Sequence, residues 1–276
     1  MYKNTQTQFI NVDGKKVAYR KLGTGTDVPV IYLSHLAAVL DNCDPRVIDG
    51  IASQRQIISF DYSGVGASGG SAPFTISEMA KDTIAFIKAL GFNKVDLLGF
   101  SLGGMVSQEI LEQEPQLVRR VILAGTGPRG GAGMNNVTKI TYLDMFRGFA
   151  TFRDPKFYLF FTQTKNGNDS ARQFLGRLKE RTENRDTKIS VKTLNRQLSA
   201  IHTWSLQTPA DLSKINHPVL VVNGDDDRMV PTINSYDMAK RFPNAELVIY
   251  PDAGHGGIFQ YHKEFVKSTL EFLGKN

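Results

Sequence analysis

The chain has 276 residues, of which 41% are hydrophobic and 22% charged. That balance suits one large α/β domain or two small ones and excludes a disordered chain, which needs fewer apolar residues and more net charge. The net charge of +6 comes from scattered lysines and arginines, so it reads as a solubility feature rather than a nucleic-acid footprint, and no apolar run reaches the roughly 18–20 residues of a membrane helix.

The N-terminus, Met1 to Gln8, is polar and lacks the apolar core of a signal peptide, so the expected location is cytoplasmic. The single cysteine, Cys43, excludes an internal disulfide and leaves the redox compartment open. The first predicted elements are two short strands, Gln8–Val12 and Lys16–Arg20. Asp13-Gly14 joins them and signals a hairpin. Val30 to Leu33 is the first of a series of apolar, β-branched runs bounded by turn formers. Gln56 to Phe60, Val95 to Leu98, Val118 to Leu123, Val219 to Val222 and Leu247 to Tyr250 continue the series. Continuous apolar strands belong in a parallel sheet covered on both faces. Helical patterns alternate with them. Thr75 to Leu90 carries Ile76, Met79, Ile84, Ile87 and Leu90 at helical spacing and stops at Gly91. Leu102 to Gln113, Asn234 to Arg241 and His262 to Leu273 read similarly. The expected fold class is α/β: a hairpin entering a doubly wound, mostly parallel sheet.

One stretch breaks the alternation. From Met134 to Leu206 no strand pattern occurs. Ile140, Tyr142, Leu143, Met145, Phe146, Phe149 and Phe152 form an apolar helical pattern, and Phe157 to Phe161 is strongly aromatic. Leu175, Leu178, Leu194, Leu198, Ile201 and Trp204 continue at helical spacing. The expected organisation is a core of residues 1–132 and 208–276, with residues 133–207 as a helical lid over one sheet edge. Phe146, Phe149, Phe152, Phe157, Phe160, Phe161 and Trp204 are expected chiefly as lid core, with one or two facing a medium-sized apolar acyl or aromatic substrate.

Gly99-Phe100-Ser101-Leu102-Gly103 matches G-x-S-x-G, and so does Gly66-Ala67-Ser68-Gly69-Gly70. Context separates them. The chemistry needs a strand turning sharply into a helix, so that the serine is strained and exposed at the sheet edge. Ser101 has that context, whereas Ser68 runs into Gly-Gly-Ser-Ala-Pro and reads as a loop serine. A serine hydroxyl needs a general base, usually histidine. Of His35, His202, His217, His255 and His262, only His255 follows the last strand, between glycines. His262 lies in the final helix, His202 in the lid and His217 before Pro218. A buried carboxylate should orient the imidazole. Asp225, Asp226 and Asp227 follow the Val219 strand. The spacing G-x-x-D-x-x-x-P, Gly224 to Pro231, selects Asp227, with Asp226 next. The order Ser101, Asp227, His255 is more specific than the pentapeptide. An oxyanion hole would use the N–H of Leu102 and one from Ala37 or Leu36, with His35 bracing that loop.

These residues resemble the α/β-hydrolase superfamily with a helical cap, over nearly the whole chain. Phe60-Asp61-Tyr62-Ser63-Gly64-Val65-Gly66-Ala67-Ser68 is similar to the family's D-x-R-G-x-G-x-S loop and accounts for the second pentapeptide match. Ser63 stands where arginine is usual, and His35-Leu36 replaces the common His-Gly. The elbow is similar to those of carboxylesterases, lactonases and cofactor-free haloperoxidase or perhydrolase members. The resemblance implies hydrolysis of an ester-like bond through an acyl-enzyme on Ser101, His255 and Asp227. Another chemistry on the same triad, C–C bond hydrolysis or perhydrolysis, stays open, as does a small-molecule receptor with slow turnover. No metal and no cofactor are expected. The expected partner is a small-molecule substrate, without nucleic acid or membrane, and nothing indicates a homo-oligomer.

Overall fold

The computed structural model describes residues 1–25 and 28–275. The N-terminal hairpin forms as β1 (Gln8–Val12) and β2 (Lys15–Leu22). Its turn residues Asp13 and Gly14 both take positive φ, 50° and 78°, the twist that suits a two-residue hairpin. β3 (Val30–Leu33), β4 (Ile57–Phe60), β5 (Val95–Phe100), β6 (Val118–Ala124), β7 (Val219–Gly224) and β8 (Ala245–Tyr250) follow. They join the hairpin in one sheet of order β1-β2-β4-β3-β5-β6-β7-β8. β2 pairs antiparallel with β4, and the strands from β4 to β8 pair in parallel.

Parallel neighbours need crossovers. α1 (Pro45–Ala52), α2 (Ile76–Ala89), α3 (Leu102–Gln113), α8 (Ile233–Arg241), the short α9 (Gly257–Gln260) and α10 (His262–Gly274) cover the sheet. Alternate side chains of each strand enter different cores. Ile31, Leu33, Val121 and Leu123 pack with α2 and α3. Val30, Tyr32, Ile122 and Ala124 pack with α1 and α10. Burial on both faces is why these strands read as unbroken apolar runs. α1 buries Val47, Ile48 and Ile51 on one face, but at eight residues it is too short for that spacing to mark a helix in the sequence. Its start signal is local: Asp44 accepts from the Arg46 N–H at 2.9 Å, and Pro45 takes the first helical position.

Between β6 and β7 the chain is helical: α4 (Val137–Ala150), α5 (Lys156–Leu159), α6 (Lys165–Arg177) and α7 (Val191–Leu206), with no strand among the described residues. Phe157, Phe161 and Trp204 are buried. Phe146, Phe149 and Phe152 are not lid core, being 71%, 79% and 98% exposed. The apolar residues of α4 span more than one face, and its buried stripe is instead Val137, Thr141, Asp144 and Gly148. One polar pair joins that stripe to the loop after β7: the Arg228 guanidinium donates to Asp144 at 2.7 Å. Arg177 of α6 fastens the insertion to the segments around the sheet. It donates to the Asp44 carboxylate at 2.6 Å and to the Phe259 carbonyl at 2.9 Å.

Candidate active site

Ser101 sits between β5 and α3 with φ 56° and ψ −116°, a conformation rare for a side-chain-bearing residue. Surrounding bonds hold it there. The Ser101 N–H donates to the Ala124 carbonyl at 2.9 Å, and the Thr126 hydroxyl donates to the Ser101 carbonyl at 2.8 Å. The flanking glycines are steric necessities. A Cβ on Gly99 would lie 2.5 Å from the Gly103 carbonyl oxygen, and one on Gly103 would lie 2.0 Å from that of Leu33.

Two further strand ends at the same sheet edge bring in His255 and Asp227. His255 Nε2 lies 2.9 Å from Ser101 Oγ, and its Nδ1 lies 2.8 Å from Asp227 Oδ2. A carboxylate oxygen only accepts, so Nδ1 carries the proton and Nε2 is free to accept the serine hydroxyl hydrogen. Asp227 Oδ1 accepts from the Met229 and Val230 N–H groups at 2.8 and 2.9 Å. Asp225 and Asp226 are exposed. Asp225 turns back to accept from the Ala253 N–H at 3.1 Å. The glycines beside His255 admit the insertion: the Gly256 N–H donates to the Phe160 carbonyl at 2.7 Å.

The other candidates have local partners. Ser68 Oγ donates to the Asp61 carbonyl at 2.8 Å and accepts from the Ala18 N–H at 2.9 Å, stitching the loop to β2. His217 Nε2 donates to the Pro115 carbonyl at 2.9 Å. His202 is exposed on α7, and His262 begins α10 half-buried. Neither hydrogen-bonds to Ser101. His35 Nδ1 donates to the Leu36 carbonyl at 2.7 Å. Burial pulls its pKa down to about 3, with the Lys156 charge adding and the Leu36 bond opposing. It is a neutral imidazole, and it packs edge-on against Phe100 and Phe160.

The loop after β3 divides the two expected oxyanion donors. The Ala37 N–H donates to Gln197 Oε1 of α7 at 2.9 Å. The Leu36 N–H makes no hydrogen bond among the described residues. Gln197 escapes sequence reading because its partner lies 160 positions away and a helical glutamine carries no signal of its own.

Ser101 and His255 open onto a cavity of about 220 Å³ between the sheet edge and the insertion. Met145, Leu159, Phe160, Ile189, Leu194 and Met229 are most of the apolar residues in its wall. Of the seven aromatics singled out in the sequence of the insertion, Phe160 alone lines it. Lys156 and Asp154, their charged atoms 3.5 Å apart, also border it.

Residues 28–260 match the family model described as alpha/beta hydrolase fold. The chain belongs to the α/β-hydrolase family. It is similar to the solved alpha/beta hydrolase fold protein from Chitinophaga pinensis, at 38% identity and a TM-score of 0.95, covering 100% of this chain and 99% of that one. It is also similar to the 2-hydroxy-6-oxo-6-(2'-aminophenyl)hexa-2,4-dienoic acid hydrolase of Metapseudomonas resinovorans. The identity there is 25% over 272 residues, 97% of this chain and 91% of that protein. A thermophilic esterase from Thermogutta terrifontis shares the fold at 18% identity, with a TM-score of 0.72 over 97% of this chain and 98% of that one. Among the described residues of this α/β hydrolase, no helix is long and apolar enough to cross a membrane.

Proposed function

We propose that this α/β hydrolase is a cytoplasmic serine hydrolase that cleaves an ester-like bond of a small, largely apolar acyl substrate. One observation carries the reading: hydroxyl, imidazole and carboxylate are linked at 2.9 and 2.8 Å at the mouth of an apolar cavity. Ser101 Oγ attacks the carbonyl carbon while His255 Nε2 takes its proton. Asp227 holds the ring in the productive tautomer and stabilises the imidazolium. The carbonyl oxygen becomes an oxyanion, met by the Leu102 N–H at the start of α3 and by the unengaged Leu36 N–H. Each such donor is worth about 2.7–4 kcal/mol to the transition state. His255 returns its proton to the leaving group, and water releases the acyl group by the same steps. Residues 133–207 act as the lid that keeps the cavity apolar, over a core of residues 1–132 and 208–276. A second reading keeps the triad and changes the bond. The relative named as a dienoic acid hydrolase matches nearly the whole chain, which supports C–C bond cleavage in a vinylogous diketone.

The deciding experiment is labelling with a fluorophosphonate probe, alongside turnover of short nitrophenyl esters by the wild type and Ser101→Ala. Label at Ser101 and loss of turnover in the variant are expected. Label at Ser68, or wild-type turnover in Ser101→Ala, would refute the assignment. Turnover of the diketone without ester turnover would transfer the reading to C–C cleavage.

A further inference from the structure

The outer face of α4 is more apolar than its inner one. Tyr142, Leu143, Phe146 and Phe149 are all exposed, while the side turned to the fold carries Thr141, Asp144 and Gly148. Three- and four-residue spacing makes Tyr142, Phe146 and Phe149 neighbours along one ridge, with Leu143 beside Phe146. Where the helix ends, Phe152 extends the ridge. The Arg153 N–H donates to the Gly148 carbonyl at 2.9 Å, and the Phe152 N–H to that of Phe149 at 3.3 Å. That pair of bonds places a left-handed residue, usually glycine, just past a helix. Phe152 fills the position at φ 55° and is 98% exposed. Folding stability favours neither this side chain nor its setting, and a contiguous exposed apolar surface marks a site of interaction.

Charge identifies the partner. Residues 133–207 hold 13 Lys and Arg against 6 Asp and Glu, and the rest of the chain holds 20 against 21. The cations are scattered along the sequence, yet the whole positive excess belongs to the insertion. Lys139 and Arg147 are exposed on α4 itself, whose one acid, Asp144, is engaged by Arg228. Phe152 also lines a cleft of about 480 Å³ that holds Arg153, Arg172, Lys179 and Arg185 against one carboxylate, Asp154. Two of these cations also pair with acids, Arg172 with Asp169 and Arg185 with Asp41, and the excess remains. A second copy docked by the same face would set two such excesses against each other. An anionic bilayer supplies both complements: phosphate oxygens for the cations and an acyl boundary for the ridge. We infer that α4 and the cleft at its C-terminal end form a docking face for an anionic lipid surface, with Phe146, Phe149 and Phe152 entering the headgroup boundary. Lying on a bilayer requires no spanning helix, so this face revises the sequence expectation of no membrane partner. The inference is independent of the chemistry at Ser101.

The test is co-sedimentation of the full chain with vesicles of phosphatidylglycerol and phosphatidylcholine in equal parts, against pure phosphatidylcholine. Affinity for the anionic vesicles should be about 10-fold higher or more, and that advantage should vanish in about 0.5 M salt. Phe146→Ser with Phe149→Ser should weaken binding about 10-fold to 100-fold, and Arg153→Gln with Lys179→Gln about 10-fold to 30-fold. All four side chains are exposed, so both double variants should fold, which circular dichroism checks. Phe152→Gly separates docking from architecture. Glycine relieves the left-handed backbone, so Tm should hold or rise while vesicle binding falls about threefold to 10-fold. Unchanged binding by Phe152→Gly would overturn the inference, as would equal affinity for neutral vesicles or full binding by either double variant. So would a wild-type dimer in sedimentation velocity that Phe146→Ser with Phe149→Ser dissociates, or a preference for a single-stranded oligonucleotide over the vesicles.

Discussion

Replacing Asp227 by asparagine removes one acceptor and adds one donor at a buried point where both carboxylate oxygens are engaged. Asp227 Oδ1 accepts two backbone N–H groups, from Met229 and Val230, while Oδ2 accepts His255 Nδ1–H. A carboxamide has oxygen at one end only. With its NH₂ toward the loop, two buried N–H groups lose their acceptor at about 1–3 kcal/mol each. With its NH₂ toward the ring, one rearrangement suffices: the imidazole proton moves to Nε2. The second arrangement therefore wins, and Nε2 then faces Ser101 Oγ as a donor that cannot take the serine proton. A wrong-tautomer lesion of this kind costs about 10⁴ in kcat, close to 5.4 kcal/mol of barrier. KM should change little, since Asp227 does not line the cavity. The assay is nitrophenyl ester release, with ¹⁵N NMR of the imidazole reporting the tautomer. A loss below tenfold, or a variant that keeps the Nδ1–H tautomer, would refute the reasoning. Asp226→Asn is the control: its exposed side chain predicts a change within about twofold, and a loss of orders of magnitude there would move the acid to Asp226.

Gln197→Met deprives the Ala37 N–H of its acceptor but also removes the buried, unpartnered Nε2 of Gln197. The two effects are of similar size and opposite sign, so Tm should move by less than about 3 °C. Turnover should fall about tenfold as the loop carrying the Leu36 donor loosens; calorimetry and ester kinetics check both, and unchanged kcat/KM would show that the loop needs no anchor. Asp61 is buried and shares a hydrogen bond with Asp186, so burial first and that neighbouring carboxyl second raise its pKa well above the carboxylate range. Its stabilising contribution is complete below the unfolded pKa of about 4 and is lost as pH rises toward the raised folded value. Between pH 4 and 8 the wild type should therefore lose Tm relative to Asp61→Asn; parallel Tm curves from the two proteins would contradict the shared proton.

Much of this was written locally. The continuous apolar runs marked the strands, buried on both faces except at the edge strand β8, which is mostly half-buried, and Asp13-Gly14 marked the hairpin, because period and turn chemistry are properties of neighbouring residues. The elbow was legible for the same reason: a Cβ on Gly99 or Gly103 would meet a backbone carbonyl oxygen at 2.5 Å or less. The order Ser101, Asp227, His255 was also readable, since parallel strands deliver all their C-terminal loops to one edge. Tertiary structure decided what depends on partners remote in sequence. α4 and the turn after it left Phe146, Phe149 and Phe152 outward and buried Thr141 and Asp144, because a helical stripe states a periodicity without stating which neighbour will cover it. Gln197 claimed the Ala37 N–H. That pairing arises only when the insertion packs against the sheet edge, where burial makes each unmatched hydrogen-bonding atom costly enough to matter.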